Sequence, residues 1–140
     1  SRLKSDGYPK ALAENEILLT ADTVVIIDNE ILGKPTDEAE ARAMLARLSG
    51  RAHRVTTGVT LRSSARTDSF AVQSDVYFRA LTEEEISYYV ERFRPMDKAG
   101  SYGIQEWIGY VGIERIDGSF YNVMGLPVQR VYAALAEFVK

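Results

Sequence analysis

The chain has 140 residues, 46% of them hydrophobic, and its 17 Lys and Arg against 20 Asp and Glu give a net charge of −3. This composition supplies the core of one domain, and the positive charge is too dispersed for a protein that binds nucleic acid polymers or membrane surfaces. The absence of Cys excludes disulfides, thiolate metal sites and a Cys nucleophile. Because the sequence shows neither a signal-peptide pattern nor a long apolar span, we expect a cytoplasmic protein.

The N-terminal third predicts a weak helix followed by strands. Residues 3–12 carry a helical apolar pattern that a proline interrupts. Residues 17–27 form a continuous apolar strand, and the turn at residues 28–30 leads into a short strand at residues 31–32. Thr36 is then a suitable N-cap for a helix that ends before the next glycine, Gly50.

The middle of the chain predicts a hairpin and a second helix. Apolar residues alternate along residues 55–61 and again along residues 72–78, so these two strands are expected to pair in antiparallel fashion. Thr82 begins a capping box with Glu85, and an apolar stripe follows as far as Phe93. A loop is predicted beyond that helix, up to residue 101.

The C-terminal part predicts two further strands and a final helix. Residues 110–116 and 120–124 are expected to form strands joined at Asp117-Gly118, and Pro127 opens the last helix. Its predicted inward positions are Val128, Val131, Tyr132, Leu135 and Phe138. Because helices and strands are interleaved but two hairpins break the alternation, we predict an α/β fold with a mixed sheet covered by helices.

Asp22-Thr23 is the most informative dipeptide, because it places a carboxylate inside an apolar strand. A charge removed from water has to be paired, has to bind a metal, or has to lie where the strand opens into a site. From the residues alone, a structural and a functional role remain equal alternatives.

Four segments are polar in a way that packing does not require: Asp22-Thr23, Gly33-Lys34-Pro35, Asp97-Lys98-Ala99-Gly100 and Tyr102-Gly103-Ile104-Gln105. Lysines beside glycines suit a polyphosphate, and carboxylates can hold the divalent ion that accompanies a nucleotide. The amide of Gln105 matches the carbonyl and imide of a pyrimidine.

Each segment also has a simpler interpretation. Taken alone, Gly33-Lys34-Pro35 is a strand-to-helix turn with a solvated lysine, and Asp97-Lys98 is a surface ion pair. His53 is more readily explained by a local hydrogen bond than by catalysis, and Trp107 by the core or an interface.

In combination, the motifs resemble the Maf family of nucleoside triphosphate pyrophosphatases over nearly the whole chain. The resemblance is carried by Thr20-Ala21-Asp22-Thr23-Val24-Val25, Ile31-Leu32-Gly33-Lys34-Pro35, Met44-Leu45, Leu48-Ser49-Gly50, residues 53–58, Asp97-Lys98-Ala99-Gly100, Tyr102-Gly103-Ile104-Gln105 and Val123-Met124-Gly125-Leu126-Pro127. It implies an elongated mixed β-sheet flanked by helices, similar to the inosine triphosphate pyrophosphatases. It also implies hydrolysis of nucleoside triphosphates to monophosphate and pyrophosphate with a divalent cation, Mg²⁺ or Mn²⁺, and a role in clearing unwanted nucleotides.

The resemblance further implies roles for individual residues. Asp22 would be the proton acceptor that activates water and a metal ligand, while Asp97 would help to hold the metal or orient Lys98. Base choice would depend on Thr23 and Gln105, and charge neutralisation at the phosphates on Lys34, Lys98 and Lys4. The motifs at positions 97–100 and 103–105 are similar to those of the branch that acts on dTTP and UTP.

The chain departs from the family pattern at its start. A first strand that ends in a Ser-x-Ser-Pro-Arg-Arg-type loop, and a Glu from the same region, have no counterpart, so we expect about 50 residues of the domain to precede residue 1. A single Maf-like domain over residues 1–140, truncated in this way, is expected to bind nucleotide poorly by itself. Glu106-Trp107 is also bulkier than the small residues common in the family.

Two further expectations concern partners. The alternative to an enzyme is a partner-binding regulator of septum formation and cell division, since the family's name comes from an effect on the septum. Convergence of Asp22, Lys34, Lys98 and Gln105 on one cleft would favour the hydrolase. A homodimer through an exposed Trp107 or Tyr88-Tyr89 is the other expectation.

Overall fold

A computed structural model describes residues 1–140. In chain order its elements are α1 (Arg2–Asp6), β1 (Leu18–Ile27), β2 (Glu30–Leu32), α2 (Glu38–Leu48), β3 (Ala52–Arg62), β4 (Thr67–Phe78), α3 (Glu83–Phe93), α4 (Trp107–Gly112), β5 (Ile113–Asp117), α5 (Phe120–Met124) and α6 (Val128–Phe138). Two 3₁₀ turns, Pro95–Asp97 and Ala99–Ser101, lie between α3 and α4. Each helix is too short or too polar to cross a membrane.

The strands form one sheet in the order β2-β1-β3-β4-β5. The predicted α/β architecture of a sheet flanked by helices is confirmed, and so is the antiparallel hairpin of β3 and β4. Every strand pair is antiparallel, however, so the expectation of a mixed sheet is wrong. The hairpins join β1 to β2 and β3 to β4. The segment that carries α2 leads from β2 to β3, which both run antiparallel to the β1 strand between them, and the segment with α3 and α4 leads from β4 to its antiparallel neighbour β5.

Two apolar clusters cover one face of the sheet. The larger one packs α2 and α3 on the sheet around Leu45, Phe78 and Tyr89. The smaller one packs α6 against the other end of the sheet, with Val131 and Phe138 in contact with it. The part of this sheet face between the two clusters is bordered by loops. Because binding and catalytic residues commonly lie on loops, we expect a functional site there.

The helix starts follow the predicted capping chemistry with one shift. The Thr82–Glu85 capping box at α3 is present in both directions. At α2, Asp37 and not Thr36 is the N-cap, and its carboxylate accepts a 2.8 Å hydrogen bond from the backbone N–H of Glu40. Aspartate serves equally well there, because its oxygen satisfies a free N–H of the first turn and its charge favours the helix N-terminus.

The two predicted C-terminal strands are largely wrong. Of residues 110–116, the first three belong to helix α4, and β5 begins only at Ile113. Residues 120–124 form helix α5, for which the hydroxyl of Ser119 accepts a hydrogen bond from the N–H of Asn122. A short apolar run cannot be assigned to helix or strand from periodicity alone, and for α5 the Ser119 cap is the local signal for a helix.

The terminal helices also differ from expectation. The first helix ends at Asp6 and does not extend to residue 12. In α6, Val131 and Phe138 are buried as predicted, whereas Val128 and Tyr132 are exposed. One α6 face therefore packs on the sheet and an aromatic side chain remains on the opposite face.

Candidate active site

A cleft of about 230 Å³ opens on the sheet between the two apolar clusters. Six of the seven residues predicted to form the site line it: Asp22, Thr23, Lys34, Asp97, Lys98 and Gln105. The seventh, Lys4, lies outside the lining but contacts Asp22. The structure thus brings together side chains that are up to 83 positions apart in the sequence.

Asp22 lies on a free edge of the sheet. Strand β2 pairs only with Val25–Ile27 of β1, so one side of β1 has no neighbouring strand at Asp22. Consecutive strand residues point to opposite faces, and both Asp22 and Thr23 line the cleft because it runs over this open edge. The Asp22 side chain is 59% exposed, so of the alternatives given for it the structure favours a carboxylate that lies where the strand opens into a cleft.

Lys4 is the cation nearest to Asp22. Its ammonium lies 3.5 Å from the Asp22 carboxylate and donates a 3.0 Å hydrogen bond to the carbonyl oxygen of Ala21. Both charged side chains are exposed, and an ion pair of this kind is worth only about 0–1 kcal/mol. A ligand or a water molecule can therefore replace Lys4 beside Asp22 at little cost.

A backbone contact joins the two lysine loops. The N–H of Gly100 donates a 3.1 Å hydrogen bond to the carbonyl oxygen of Gly33, which brings Lys34 and Lys98 to the same cleft. Gly100 has φ +70°, and a Cβ there would lie 3.0 Å from the methyl groups of Val25. Only glycine fits this position without strain or displacement of β1.

Lys98 is held between two carboxylates. Its ammonium is 3.3 Å from Asp97 and 3.8 Å from Glu106, and its side chain is 26% exposed. Asp97 is far more exposed, at 74%. Lys34, by contrast, is exposed and has no ion-pair partner, so its charge is free to meet an anion.

Thr23 holds the opposite wall of the cleft. Its hydroxyl donates a 3.2 Å hydrogen bond to the carbonyl oxygen of Gly125 and lies 2.9 Å from the hydroxyl of Thr57. Since that proton is used within the protein, Thr23 can offer a ligand only an acceptor. It also fixes the loop that carries Met124 and Gly125, both of which line the cleft.

Asn122 anchors the same wall from beneath, a role that was not predicted from the sequence. It is fully buried, and its amide donates to the carbonyl oxygens of Val55 and Val72 and to the hydroxyl of Ser74, at 3.0–3.2 Å. Ser119 as an N-cap and Gly125 as a stop are the signals that could have revealed the helix around it.

Gln105 lies where the cleft meets a second groove. That groove has a volume of about 530 Å³, is mostly apolar, and shares Gln105 and Met124 with the cleft. The Gln105 side chain is exposed and makes no hydrogen bond within the protein, which leaves its amide free for a ligand.

The tyrosines and the histidine near the cleft are structural. His53 is buried, its Nε2 is 2.5 Å from the Tyr102 hydroxyl, and burial lowers the pKa of His53 to about 4 against a smaller opposing effect of the Asp75 charge. This supports the local hydrogen bond that was predicted for it. Tyr89 is fully buried, so it cannot belong to an exposed dimer patch with Tyr88.

The donor set suits a metal ion only in the presence of a phosphate ligand. Asp22 and Asp97 line the cleft, but no group of three or more His, Cys, Asp or Glu side chains forms a ready metal site. Mg²⁺ is commonly held by one or two carboxylates together with substrate phosphates and water. The residues therefore fit a divalent ion that binds together with a nucleotide.

Comparison with known proteins now identifies the family. The model of the family described as "Maf-like protein" matches residues 1–138. The chain belongs to the Maf family. Among curated Maf relatives, a dTTP/UTP pyrophosphatase of Porphyromonas gingivalis strain W83 is 55% identical over 140 residues, covering 99% of this chain and 70% of the relative.

Two further relatives carry the same name. The dTTP/UTP pyrophosphatase of Bacteroides thetaiotaomicron is 53% identical over 135 residues, covering 96% of this chain and 70% of the relative. That of Christiangramia forsetii is 49% identical over 139 residues, covering 99% of this chain and 71% of the relative. The membership of the Maf family that the motifs predicted is confirmed, and these relatives carry the name of the branch that the motifs resembled.

Proposed function

We propose that this chain hydrolyses nucleoside triphosphates, dTTP and UTP in particular, to the nucleoside monophosphate and pyrophosphate. The observation that carries the proposal is the convergence of Asp22, Lys34, Lys98 and Gln105 on one cleft. It is supported by the name that relatives 48–55% identical to this chain share.

Asp22 is the base in this proposal. A water molecule next to its exposed carboxylate gives up a proton to it while the water oxygen forms a bond to the α-phosphorus. The bond from that phosphorus to the α–β bridging oxygen breaks, and pyrophosphate leaves with the bonding electrons. Lys4, 3.5 Å from the carboxylate, helps to place it.

Lys34 and Lys98 bind the phosphates. Charge accumulates on pyrophosphate as it leaves, and cations already in place stabilise that charge without rearrangement. Lys98 is the more ordered of the two because it is paired, whereas Lys34 is exposed and unpaired. We assign Lys98 to the leaving group and Lys34 to initial binding of the triphosphate.

The base is proposed to bind against Gln105. An amide oxygen and an amide N–H₂ can pair with the imide N–H and a carbonyl of thymine or uracil. Thr23 shapes this end of the site through the Gly125 loop, and its remaining lone pair can accept one further hydrogen bond.

A divalent cation, Mg²⁺ or Mn²⁺, completes the proposed site. Asp22 and Asp97 would hold it together with phosphate oxygens. When bound, such an ion neutralises phosphate charge and makes a nearby water more acidic. The latter effect is needed, since a carboxylate is a weak base at neutral pH.

The test is product analysis over a panel of dTTP, UTP, dCTP, ATP, GTP and a methylated GTP. It is run in ¹⁸O-water with Mg²⁺, using this chain and an N-terminally extended form that carries the family's arginine-bearing loop. We expect pyrophosphate from dTTP and UTP in at least the extended form, with ¹⁸O in the monophosphate.

Two results would contradict the proposal. Release of inorganic phosphate with a diphosphate product would move the attack away from the α-phosphorus. Inactivity of both forms on every nucleotide would remove the enzymatic function altogether.

A further inference from the structure

Behind the cleft, a hydrogen-bonded chain leads from α3 to Lys98. The buried hydroxyl of Tyr89 donates a 2.6 Å hydrogen bond to Oε1 of Glu106 and accepts a 3.1 Å hydrogen bond from the N–H of Gly103. The same Oε1 lies 3.8 Å from the ammonium of Lys98. The glutamate is therefore fixed on one side and faces the lysine on the other.

Gly103 makes this arrangement sterically possible. A Cβ at that position would lie 2.8 Å from Cε of Lys98 and 2.9 Å from Oε1 of Glu106. Any side chain at residue 103 would thus stand between the lysine and the glutamate. Gly103 does not have a positive φ, so its backbone conformation does not require glycine. Glycine is needed there because a side chain would disrupt the contact between Lys98 and Glu106.

The Glu106 side chain has no further polar contact in the structure besides those with Tyr89 and Lys98. It is the N-cap residue of α4, yet its side chain makes no capping hydrogen bond. Its side chain is only 22% exposed, and removing a carboxylate from water is unfavourable unless partners compensate it. The partners present are Tyr89 and Lys98.

We propose that Glu106, held by Tyr89, is a positioning residue that orders the Lys98 ammonium in the cleft before nucleotide binds. The inference rests on the proposed function for its kinetic consequence. A lysine has several rotatable bonds, so ordering it in advance lowers the entropy lost when it meets a phosphate. Asp97, at 74% exposure, is too well solvated to do this alone.

The test is a double-mutant cycle of Glu106→Gln and Lys98→Met, assayed for kcat and KM on dTTP. Glutamine keeps an acceptor for Tyr89 but loses the charge that faces Lys98. We expect Glu106→Gln alone to lower kcat by about tenfold with KM within about twofold, and to change kcat by less than about twofold when Lys98 is already methionine. Glu137→Gln, which removes a Glu–Lys pair at the end of α6, is the matched control and should leave both constants unchanged.

A second pair of variants examines the support behind the glutamate. Tyr89→Phe removes the hydroxyl that holds Glu106 and should reproduce part of the loss in kcat. Tyr88→Phe, on the same helix but packed against Trp107 at the surface with the rings tilted by 45°, should not. Equal loss in the two phenylalanine variants would contradict the role of Tyr89.

An equal loss from Glu106→Gln in both Lys98 backgrounds would overturn the proposal, because Glu106 would then act independently of Lys98. Urea midpoints of the same four proteins, measured without nucleotide, give a readout that needs no activity. Non-additive midpoints support the Lys98–Glu106 coupling even if no nucleotide is hydrolysed, in which case only the proposed function fails. If no nucleotide is hydrolysed, additive midpoints overturn it.

Discussion

Replacement of Asn122 by alanine should destabilise the protein and loosen the cleft together. The amide has two N–H donors for three acceptors at 3.0–3.2 Å, and the residue is fully buried. The two lost hydrogen bonds cost about 1 kcal/mol each, and an acceptor left unpaired adds part of a further ~1–3 kcal/mol. The free energy of unfolding should therefore fall by about 2–4 kcal/mol. With a urea m-value of about 2 kcal/mol per M, the midpoint should fall by about 1–2 M.

Urea unfolding followed by the fluorescence of Trp107, the only Trp, measures this change. Gln129→Ala, which truncates an exposed amide on α6, is the control and should shift the free energy of unfolding by less than about 0.5 kcal/mol. If Asn122→Ala unfolds at the same urea concentration as the control, the anchoring role assigned to Asn122 is refuted. We also expect its KM for dTTP to rise, since the three residues that follow Asn122 line the cleft.

Three further predictions concern pH, backbone conformation and charge. Burial lowers the pKa of His53 to about 4 in the folded protein, whereas an ordinary histidine has a pKa of about 6.5. As the pH falls below about 6.5, the unfolded state therefore takes up a proton at His53 before the folded state does. The free energy of unfolding should drop by about 2 kcal/mol between pH 6.5 and 4.5. Gly100→Ala should destabilise by at least about 1 kcal/mol and impair turnover, since its Cβ would press on Val25 at φ +70°. Lys34→Ala should raise KM several-fold, which corresponds to a loss of about 1 kcal/mol in binding free energy, and should make KM less dependent on salt concentration.

Each of these has its own control. The pH effect is measured by urea unfolding at several pH values, and a His53→Gln variant that keeps the full slope would contradict the assignment to His53. Gly7→Ala, at a glycine with φ −80°, should be milder than Gly100→Ala in the same measurement. Lys10→Ala removes an exposed lysine that does not line the cleft, and a KM effect as large as that of Lys34→Ala would argue against a specific role for Lys34.

The parts of the fold that the sequence predicted well are those with unambiguous local chemistry. The α3 capping box, the alternation in β3 and β4 and the long apolar β1 all formed where expected. Residues 110–112 were wrongly predicted as the start of a strand, because Tyr and Val favour strands. Gly109 lets helix α4 lie close to the carbonyl oxygen of Ile104, because a Cβ at residue 109 would be only 1.8 Å from that oxygen. The periodicity of apolar residues does not reveal such a contact.

The site divides in a similar way. Asp22, Lys34, Lys98 and Gln105 were found through motif resemblance, and their meeting in one cleft required the sheet and the Gly33–Gly100 contact. Glu106 and Asn122 were missed as site residues, because their importance lies in partners far along the chain. A buried amide or a carboxylate beneath a lysine is visible only once those partners are in place.

The most direct test of the account is the effect of Asp22→Asn on a single turnover of dTTP, with nucleotide binding measured separately. The control is Asp68→Asn, an exposed strand aspartate paired with Arg66 outside the cleft. The account predicts a loss of about 10³-fold or more in the chemical step for Asp22→Asn, with dTTP binding within a few-fold and the control unchanged. Turnover by Asp22→Asn close to that of Asp68→Asn would contradict the assignment of Asp22 as the base.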